Sequence, residues 1–361
     1  MLTLGATLVW MLVAAPQPLA VLHALALGVF LTIALGLLYQ FVPVVARRTL
    51  RMPTLAFVHL ACAASGTALV VEGFATLDFT RVAVGGALHA LGFALEIAVL
   101  AATVVGTRPP AAASGALASL AWLVAALAFG IAAAARLADG IAVAALARAH
   151  AIAALAGFFA TLIVAISLRL ARMFERVDRE SRIGALAFAA HLAALAALAF
   201  RAGAIALACA GALFATEFTR IGRARAPAYQ RETFWYALVS CIGGIVACAA
   251  LWYEANQLAI VCALWLFVGT AVVGYLQRIV PFIAWIARAR RDGARATPSL
   301  AAMNASALGY AILVCWTAAG IAFTADPRSR IGASIAMLAW IGLVTQLARA
   351  FLLRRPSPAN P

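Results

Sequence analysis

Five histidines are the residues of this 361-residue chain whose type and position point most directly to chemistry. All of them lie inside long apolar segments: His23, His59, His89, His150 and His191. An ionisable side chain inside a membrane span is costly and usually faces a partner or a cavity. Imidazole is also the commonest protein ligand for haem iron, copper and zinc. The histidines therefore predict a ligand or relay role, with simple packing between helices as the alternative.

Glu96 is the deepest carboxylate of the chain. His89, Gly92 and Glu96 follow one another at spacings of three and four residues, so they share one face of a helix. A carboxyl at that depth must be protonated, paired or hydrated. Glu96 is thus predicted to be a proton-relay group or the partner of a histidine, and a structural hydrogen bond is an equally good interpretation.

The elements that position these residues are transmembrane helices. Hydrophobic residues make up 66% of the chain and charged residues 11%, whereas about a quarter of a soluble protein is charged. A span needs roughly 20 apolar residues, and cutting the chain at its charged or Pro/Gly-containing breaks predicts an all-α bundle of twelve spans. They cover roughly residues 2–16, 19–45, 53–74, 80–106, 112–136, 140–169, 183–200, 202–220, 232–253, 256–287, 299–323 and 329–353.

The charge pattern predicts the orientation. Every one of the 27 basic residues is an arginine, and the net charge is +15. The arginines concentrate in alternate connections, which the positive-inside rule places in the cytoplasm. Both termini are then cytoplasmic, and the protein is a multi-pass protein of the bacterial inner membrane, with the lipid bilayer and no nucleic acid as its partner. The six cysteines lie singly in apolar segments and indicate neither disulfides nor a zinc site.

An internal repeat relates the second, sixth and tenth spans. Gly36 and Pro43 of the second span match Gly274 and Pro281 of the tenth at the same offset of 238 residues. The sixth span shares with the second a histidine near its start, followed by small and aromatic residues. A separation of four spans predicts three parallel, pseudo-symmetric four-helix units within one transmembrane domain. The units cover roughly residues 1–106, 112–220 and 232–353.

Twelve spans in three four-helix units, with histidines entering from the outer face, resemble the catalytic subunit of the haem-copper oxidases. The strings "HALALGVFLTIALGLLYQFVPV" and "GYLQRIVPFIAW" are more similar to the smaller non-oxidase relatives of that superfamily. These include the NnrS family of haem- and copper-binding membrane proteins linked to nitric oxide stress. The resemblance implies a haem b and a copper ion as cofactors.

The resemblance also implies roles for single histidines. His23 of span 2 takes the place of a haem ligand, His150 of span 6 that of a copper ligand, and His191 of span 7 that of a further copper ligand. His89 of span 4 has a depth comparable to that of His23 and His150, which makes it a second candidate for cofactor binding. His59 lies toward the cytoplasmic side and is assigned no role.

Two further positions bear on the resemblance. Arg328 and Arg330 lie in the turn where the oxidases hold haem propionates with an arginine pair, although here a serine separates them. Guanidinium groups suit carboxylates. By contrast, span 10 contains no histidine, and span 7 lacks the adjacent histidine pair of the oxidases. A complete oxygen or nitric oxide reductase is therefore not expected.

The sequence leaves three functions open. The first is a haem- or copper-binding inner-membrane protein that serves nitric oxide tolerance, sensing or electron transfer with a redox partner. The second is a transporter or channel for a small solute or a metal, in which Glu96 and the histidines form a proton path. The third is an assembly factor for a membrane complex, in which the histidines only pack. An absorbance spectrum and a metal analysis separate the first from the other two.

Overall fold

The computed structural model describes residues 1–14, 16–175, 182–199, 202–224, 231–293 and 297–352. These residues form helices and connections, with no strand among them. Twelve helices carry the architecture: α1 Leu2–Val13, α2 Pro18–Ala46, α3 Leu55–Thr76, α4 Phe79–Val104, α5 Ala111–Ala138, α6 Ala144–Met173, α7 Arg182–Ala196, α8 Ala202–Ala224, α9 Arg231–Trp252, α10 Asn256–Arg291, α11 Ser306–Ala325 and α12 Arg330–Leu352.

Ten of these helices are long and apolar enough to cross a membrane. The other two, α1 and α7, have only 12 and 15 residues, which is shorter than the roughly 20 that a span needs. The all-helical membrane architecture is thereby confirmed. The count of twelve spans, the three-unit symmetry and the cytoplasmic termini stay predictions.

The described ends of the chain meet in the bundle. Helix α1 packs against α12, where the indole Nε1 of Trp340 donates a hydrogen bond of 2.9 Å to the carbonyl oxygen of Met1. A Cβ on Gly5 would lie 2.7 Å from the same indole, so the glycine is what allows this approach. This contact joins the first and the last described helices of the bundle.

Three π-helical turns interrupt α2, α6 and α10, which are the helices of the predicted repeat. They cover Ala26–Leu31, Ala153–Ala160 and Cys262–Gly269. The π turns of α2 and α6 both contact that of α10, so they lie at the centre of the bundle. A π turn disturbs the regular ladder of backbone hydrogen bonds and is frequent at functional sites. This feature is absent from the sequence pattern, which only indicates helix.

A threonine follows each π turn. Thr32 and Thr270 donate their hydroxyls to carbonyl oxygens five residues back, at 2.9 and 3.5 Å. Inside a membrane a carbonyl released from the helical ladder needs such a donor. Thr161, the third, instead shares a hydrogen bond with His191 of α7. The repeated threonine therefore bonds a backbone carbonyl in α2 and α10, but a histidine in α6.

The repeated glycines and prolines differ in their surroundings. Gly274 packs on Tyr236 of α9, where a Cβ would lie 2.6 Å from the tyrosine Cβ, whereas Gly36 has nothing within 4 Å of its position. Pro281 has no N–H for the carbonyl of Gln277, and Asn304 donates to that carbonyl instead, at 3.2 Å. Close helix packing at the glycine is thus found at Gly274 and not at Gly36.

Candidate functional site

His23 of α2 and His150 of α6 lie next to each other. Their ring centroids are 6.1 Å apart and the ring planes differ by 19°. Phe74 of α3 covers His23 on another side, with centroids 4.5 Å apart. Both imidazoles stand about two turns into their helices, as the repeat predicted, and they belong to different predicted units. The structure therefore brings together two candidates that the sequence had assigned to separate cofactors.

Each of these rings is held by a backbone carbonyl. Nδ1 of His23 lies 2.7 Å from the carbonyl oxygen of Leu19 in its own helix, and Nδ1 of His150 lies 2.7 Å from that of Ala126 in α5. A carbonyl oxygen only accepts, so both Nδ1 atoms carry the proton and donate. In the neutral ring the lone pair is then on Nε2. This tautomer, fixed by an Nδ1–H bond to a carbonyl, is typical of histidines that bind metals.

Glycine makes room for His150. A Cβ on Gly130 of α5 would lie 2.9 Å from Nδ1 of the imidazole, too close for any side chain without a shift. Gly130 is also one turn from Ala126, the residue whose carbonyl accepts the ring proton. The ring of His150 is therefore seated on α5 by a hydrogen bond and by the absence of a side chain.

His89 of α4 is bonded within the bundle. Its side chain is buried, and Nε2 shares a hydrogen bond of 3.2 Å with the hydroxyl of Thr67 in α3. A Cβ on Gly66 would lie 2.9 Å from the ring, so α3 and α4 meet closely at this level. His89 is ten residues into its helix and lies deeper than His23. The Thr67 bond occupies Nε2, while Nδ1 has no hydrogen-bond partner among the described residues.

His59, to which the sequence assigned no role, has the richest surroundings. Nδ1 shares a hydrogen bond of 3.0 Å with the hydroxyl of Tyr39 in α2, and Nε2 lies 3.8 Å from Oε2 of Glu96 in α4. His59 and Glu96 are 4% and 0% exposed, which removes water as an easy partner. The histidine next to Glu96 is therefore His59, and the relay role of the carboxyl stays a prediction.

His191 of α7 lies in a different part of the bundle. Its Nε2 shares a hydrogen bond of 2.9 Å with Thr161 of α6, eleven residues after His150. That separation corresponds to about 16 Å along a helix. The ring also borders a mostly apolar cavity of about 340 Å³ between α6, α7, α8, α9 and α10. The structure thus does not place His150 and His191 at one point.

The predicted arginine pair is also separate. Arg328 and Arg330 line a cavity of about 110 Å³, together with Leu22 and Leu25 of α2. His23 projects from nearly the opposite face of α2, toward Phe74. Among the described residues, no three histidine, cysteine, aspartate or glutamate side chains are grouped so that they could hold a metal ion. Any metal in the described bundle would have at most two such ligands.

Several residues at these sites were missed by the sequence interpretation. They are Tyr39, Thr67, Phe74, Gly130 and Thr161. One signal was present: along α3, His59, Thr67 and Phe74 are spaced by eight and seven residues, which is about two helical turns. These three residues meet Glu96, His89 and His23 respectively. Helix α3 therefore carries one contact at each level of the histidine sites.

No protein-family model matches the chain, and a search of curated proteins finds no significant match.

Proposed function

We propose that the protein is a membrane-embedded metal-binding protein in which His23 and His150 ligate one centre, a haem iron or a copper ion, through their Nε2 atoms. The observation that carries the proposal is the shared tautomer: two imidazoles from different helices both place Nδ1–H on a backbone carbonyl at 2.7 Å. Both lone pairs are then on Nε2, the nitrogen available to a metal.

The separation of the two rings fits a shared ion. With metal–nitrogen bonds of about 2.0–2.1 Å, two imidazoles on nearly opposite sides of one ion have centroids roughly 6 Å apart. The observed separation is 6.1 Å, and the planes are nearly parallel. His89 and His191 are not ligands in this proposal because neither lies at the level of the pair. His89 meets Thr67, two helical turns along α3 from Phe74. His191 meets Thr161, eleven residues along α6 from His150.

The residues of the chain position this centre. Ala126 orients His150 from α5, and Phe74 shields one side of His23 from α3. When bound, a haem iron or copper ion would supply one-electron chemistry. By its resemblance to the NnrS family, we propose a role in nitric oxide tolerance, sensing or electron transfer in the bacterial inner membrane.

An absorbance spectrum combined with metal analysis tests the proposal. Purified wild-type protein is expected to carry about one haem or copper per chain, and His23→Ala and His150→Ala are each expected to lose it. His191→Ala is the matched control, since it removes a histidine that lies apart from the pair, and it should retain the metal. A colourless, metal-free wild type, or full occupancy in both variants, would contradict the proposal and favour transport.

A further inference from the structure

A second cluster of titratable groups lies about 22 Å from the His23 level along α3, fifteen residues away in that helix. It consists of Tyr39 of α2, His59 of α3 and Glu96 of α4. The proposed metal ligands do not contact it. Any activity of this cluster is therefore separate from the metal centre.

The polar atoms of this cluster are poorly satisfied. In the described part of the chain, eight buried side-chain nitrogen or oxygen atoms have no hydrogen-bond partner, and three of them are Nε2 of His59 and both carboxyl oxygens of Glu96. Their nearest approach, 3.8 Å, is longer than a hydrogen bond of about 2.7–3.2 Å. Leaving a buried polar group unpaired is costly. These atoms are therefore available to bind a proton.

The surrounding helices are shaped to hold these groups. A Cβ on Gly92 of α4 would lie 3.0 Å from the ring of His59, so the glycine admits the imidazole between α3 and α4. Gly85 allows the two helices to touch, since its Cβ would lie 2.7 Å from the carbonyl oxygen of Gly66. The imidazole is therefore seated by backbone contacts beside the carboxyl.

We propose that Tyr39, His59 and Glu96 form a proton-binding site inside the membrane, in which one proton passes between the Glu96 carboxyl and Nε2 of His59. In the forward direction the carboxyl O–H bond breaks and an N–H bond forms on Nε2, which gives a carboxylate beside an imidazolium. The reverse step restores the neutral pair. A short approach of the two side chains closes the 3.8 Å gap.

Tyr39 can bond to either tautomer of the imidazole of His59. Its hydroxyl and Nδ1 of His59 share a hydrogen bond of 3.0 Å, in which either atom can donate. When Nδ1–H donates to the tyrosine oxygen, Nε2 has the lone pair and accepts the proton of Glu96. When the tyrosine donates, Nε2 carries the hydrogen and faces a carboxylate. A hydroxyl that serves both states is suited to a site that gains and loses a proton.

Few other titratable groups face this site. On the helices packed against Glu96, the described neighbours are Cys62 of α3, one turn from His59, and His89 of α4, two turns from Glu96. The charged residues of the same two helices, Glu72 and Arg81 among them, pair with one another at the opposite end, with Arg81 Nη1 2.6 Å from Glu72 Oε1. No described arginine bonds the carboxyl of Glu96, so a proton is the charge that can neutralise it.

Infrared difference spectroscopy across a pH titration tests the site without reference to any metal. The wild type should show the C=O band of a protonated carboxylic acid that shifts in heavy water and is replaced by carboxylate bands as the pH rises. Glu96→Gln should remove this band. Glu72→Gln, which changes an exposed carboxyl on the neighbouring helix, should leave it in place. His59→Gln should move the pH midpoint by about one unit or more, since coupled groups titrate together.

The proposal is wrong if Glu96→Gln removes no carboxylic acid band. It is also wrong if the band does not change with pH and His59→Gln leaves it unaltered. Tyr39→Phe removes a single oxygen and keeps the ring, so it supplies a variant that folds if Glu96→Gln does not. It is expected to move the midpoint in the same experiment, and an unchanged midpoint would overturn the role of the hydroxyl. Neither outcome depends on whether His23 and His150 bind a metal.

Discussion

The pair His23–His150 and the cluster Tyr39–His59–Glu96 use histidine in opposite ways. In the first, Nδ1 of each ring is bonded to a carbonyl at 2.7 Å, and the ring has one fixed tautomer. In the second, Nδ1 of His59 meets a hydroxyl that both donates and accepts, and Nε2 has no hydrogen-bond partner among the described residues. One arrangement holds the proton at a fixed atom, and the other allows it to move.

The difference follows from the hydrogen-bond partners that each helix offers. A carbonyl accepts only, so it orders a ring permanently and leaves a lone pair for a metal. A tyrosine hydroxyl or a carboxyl can act as hydrogen-bond donor or acceptor, so it is suited to a site whose charge changes. Burial is deeper at the second site, where His59 is 4% and Glu96 0% exposed. The pair His23–His150, called the fixed pair, is thus suited to bind a metal. The cluster Tyr39–His59–Glu96, called the deep cluster, is suited to bind a proton.

A substitution beside the pair His23–His150 should weaken metal binding. Gly130→Ala places a Cβ 2.9 Å from Nδ1 of His150 and should push the ring away from the carbonyl of Ala126. Disturbing an outer-shell partner of this kind typically lowers metal affinity by about 10- to 100-fold. Metal titration followed by absorbance measures it. Gly92→Ala is the matched control because it crowds His59 instead, and its metal affinity should equal that of the wild type.

Gly85→Leu disrupts the close contact between α3 and α4. The new side chain meets the backbone of Gly66, which cannot rotate away, so the free energy of unfolding should fall by about 3 kcal/mol. Denaturation in mixed detergent measures the change. Gly36→Ala is the control, since nothing lies within 4 Å of that position. A loss of equal size in both variants would show that the α3–α4 contact is not special.

The sequence predicted the helices better than the contacts between them, because a periodic apolar pattern reports only which face of a helix is buried. Apolar length and arginine-rich connections located the helices, and the repeat placed His23 and His150 at one depth, where they are neighbours. The sequence predicted a comparable depth for His89 and these two histidines, but in the structure His89 lies deeper and bonds Thr67. The sequence pattern gives the face of a helix but not the helix that covers it. For this reason Tyr39, from the second helix, was missed at His59.

The repeat itself was only partly informative. Gly36 and Gly274 match in sequence, but only Gly274 has a helix packed on it. The π turns were also missed, since a local change from the α to the π ladder leaves the apolar pattern nearly intact. The threonine after each π turn was the available signal, and Thr32 and Thr270 share the same 238-residue offset as the glycines.

Glu96→Leu and Glu217→Leu together compare a buried carboxyl without hydrogen-bond partners with one that is paired. The leucine removes two buried oxygens without partners, so the free energy of unfolding should rise by about 1 to 2 kcal/mol. Glu217→Leu should lower it instead, because that carboxylate accepts from Nε and Nη2 of Arg220 at 2.8 and 2.9 Å. Detergent denaturation of both variants tests the contrast. If Glu96→Leu is the more destabilising of the two, the carboxyl has a partner that the described contacts do not include.

The smallest expected effect separates the two threonine–histidine bonds. Thr161→Val and Thr67→Val each replace a hydroxyl by a methyl of similar size, and a hydrogen bond between membrane helices contributes about 0.6 kcal/mol on average. Nδ1 of His89 already lacks a partner, so Thr67→Val leaves that buried ring with none among the described residues. His191 borders a cavity of about 340 Å³, which leaves room for its ring to reorient in Thr161→Val. We therefore expect the larger loss of stability for Thr67→Val, measured by detergent denaturation, and unchanged metal content in both. Equal losses would show that the cavity beside His191 gives its ring no freedom, and a loss of metal in Thr67→Val would add His89 to the ligands.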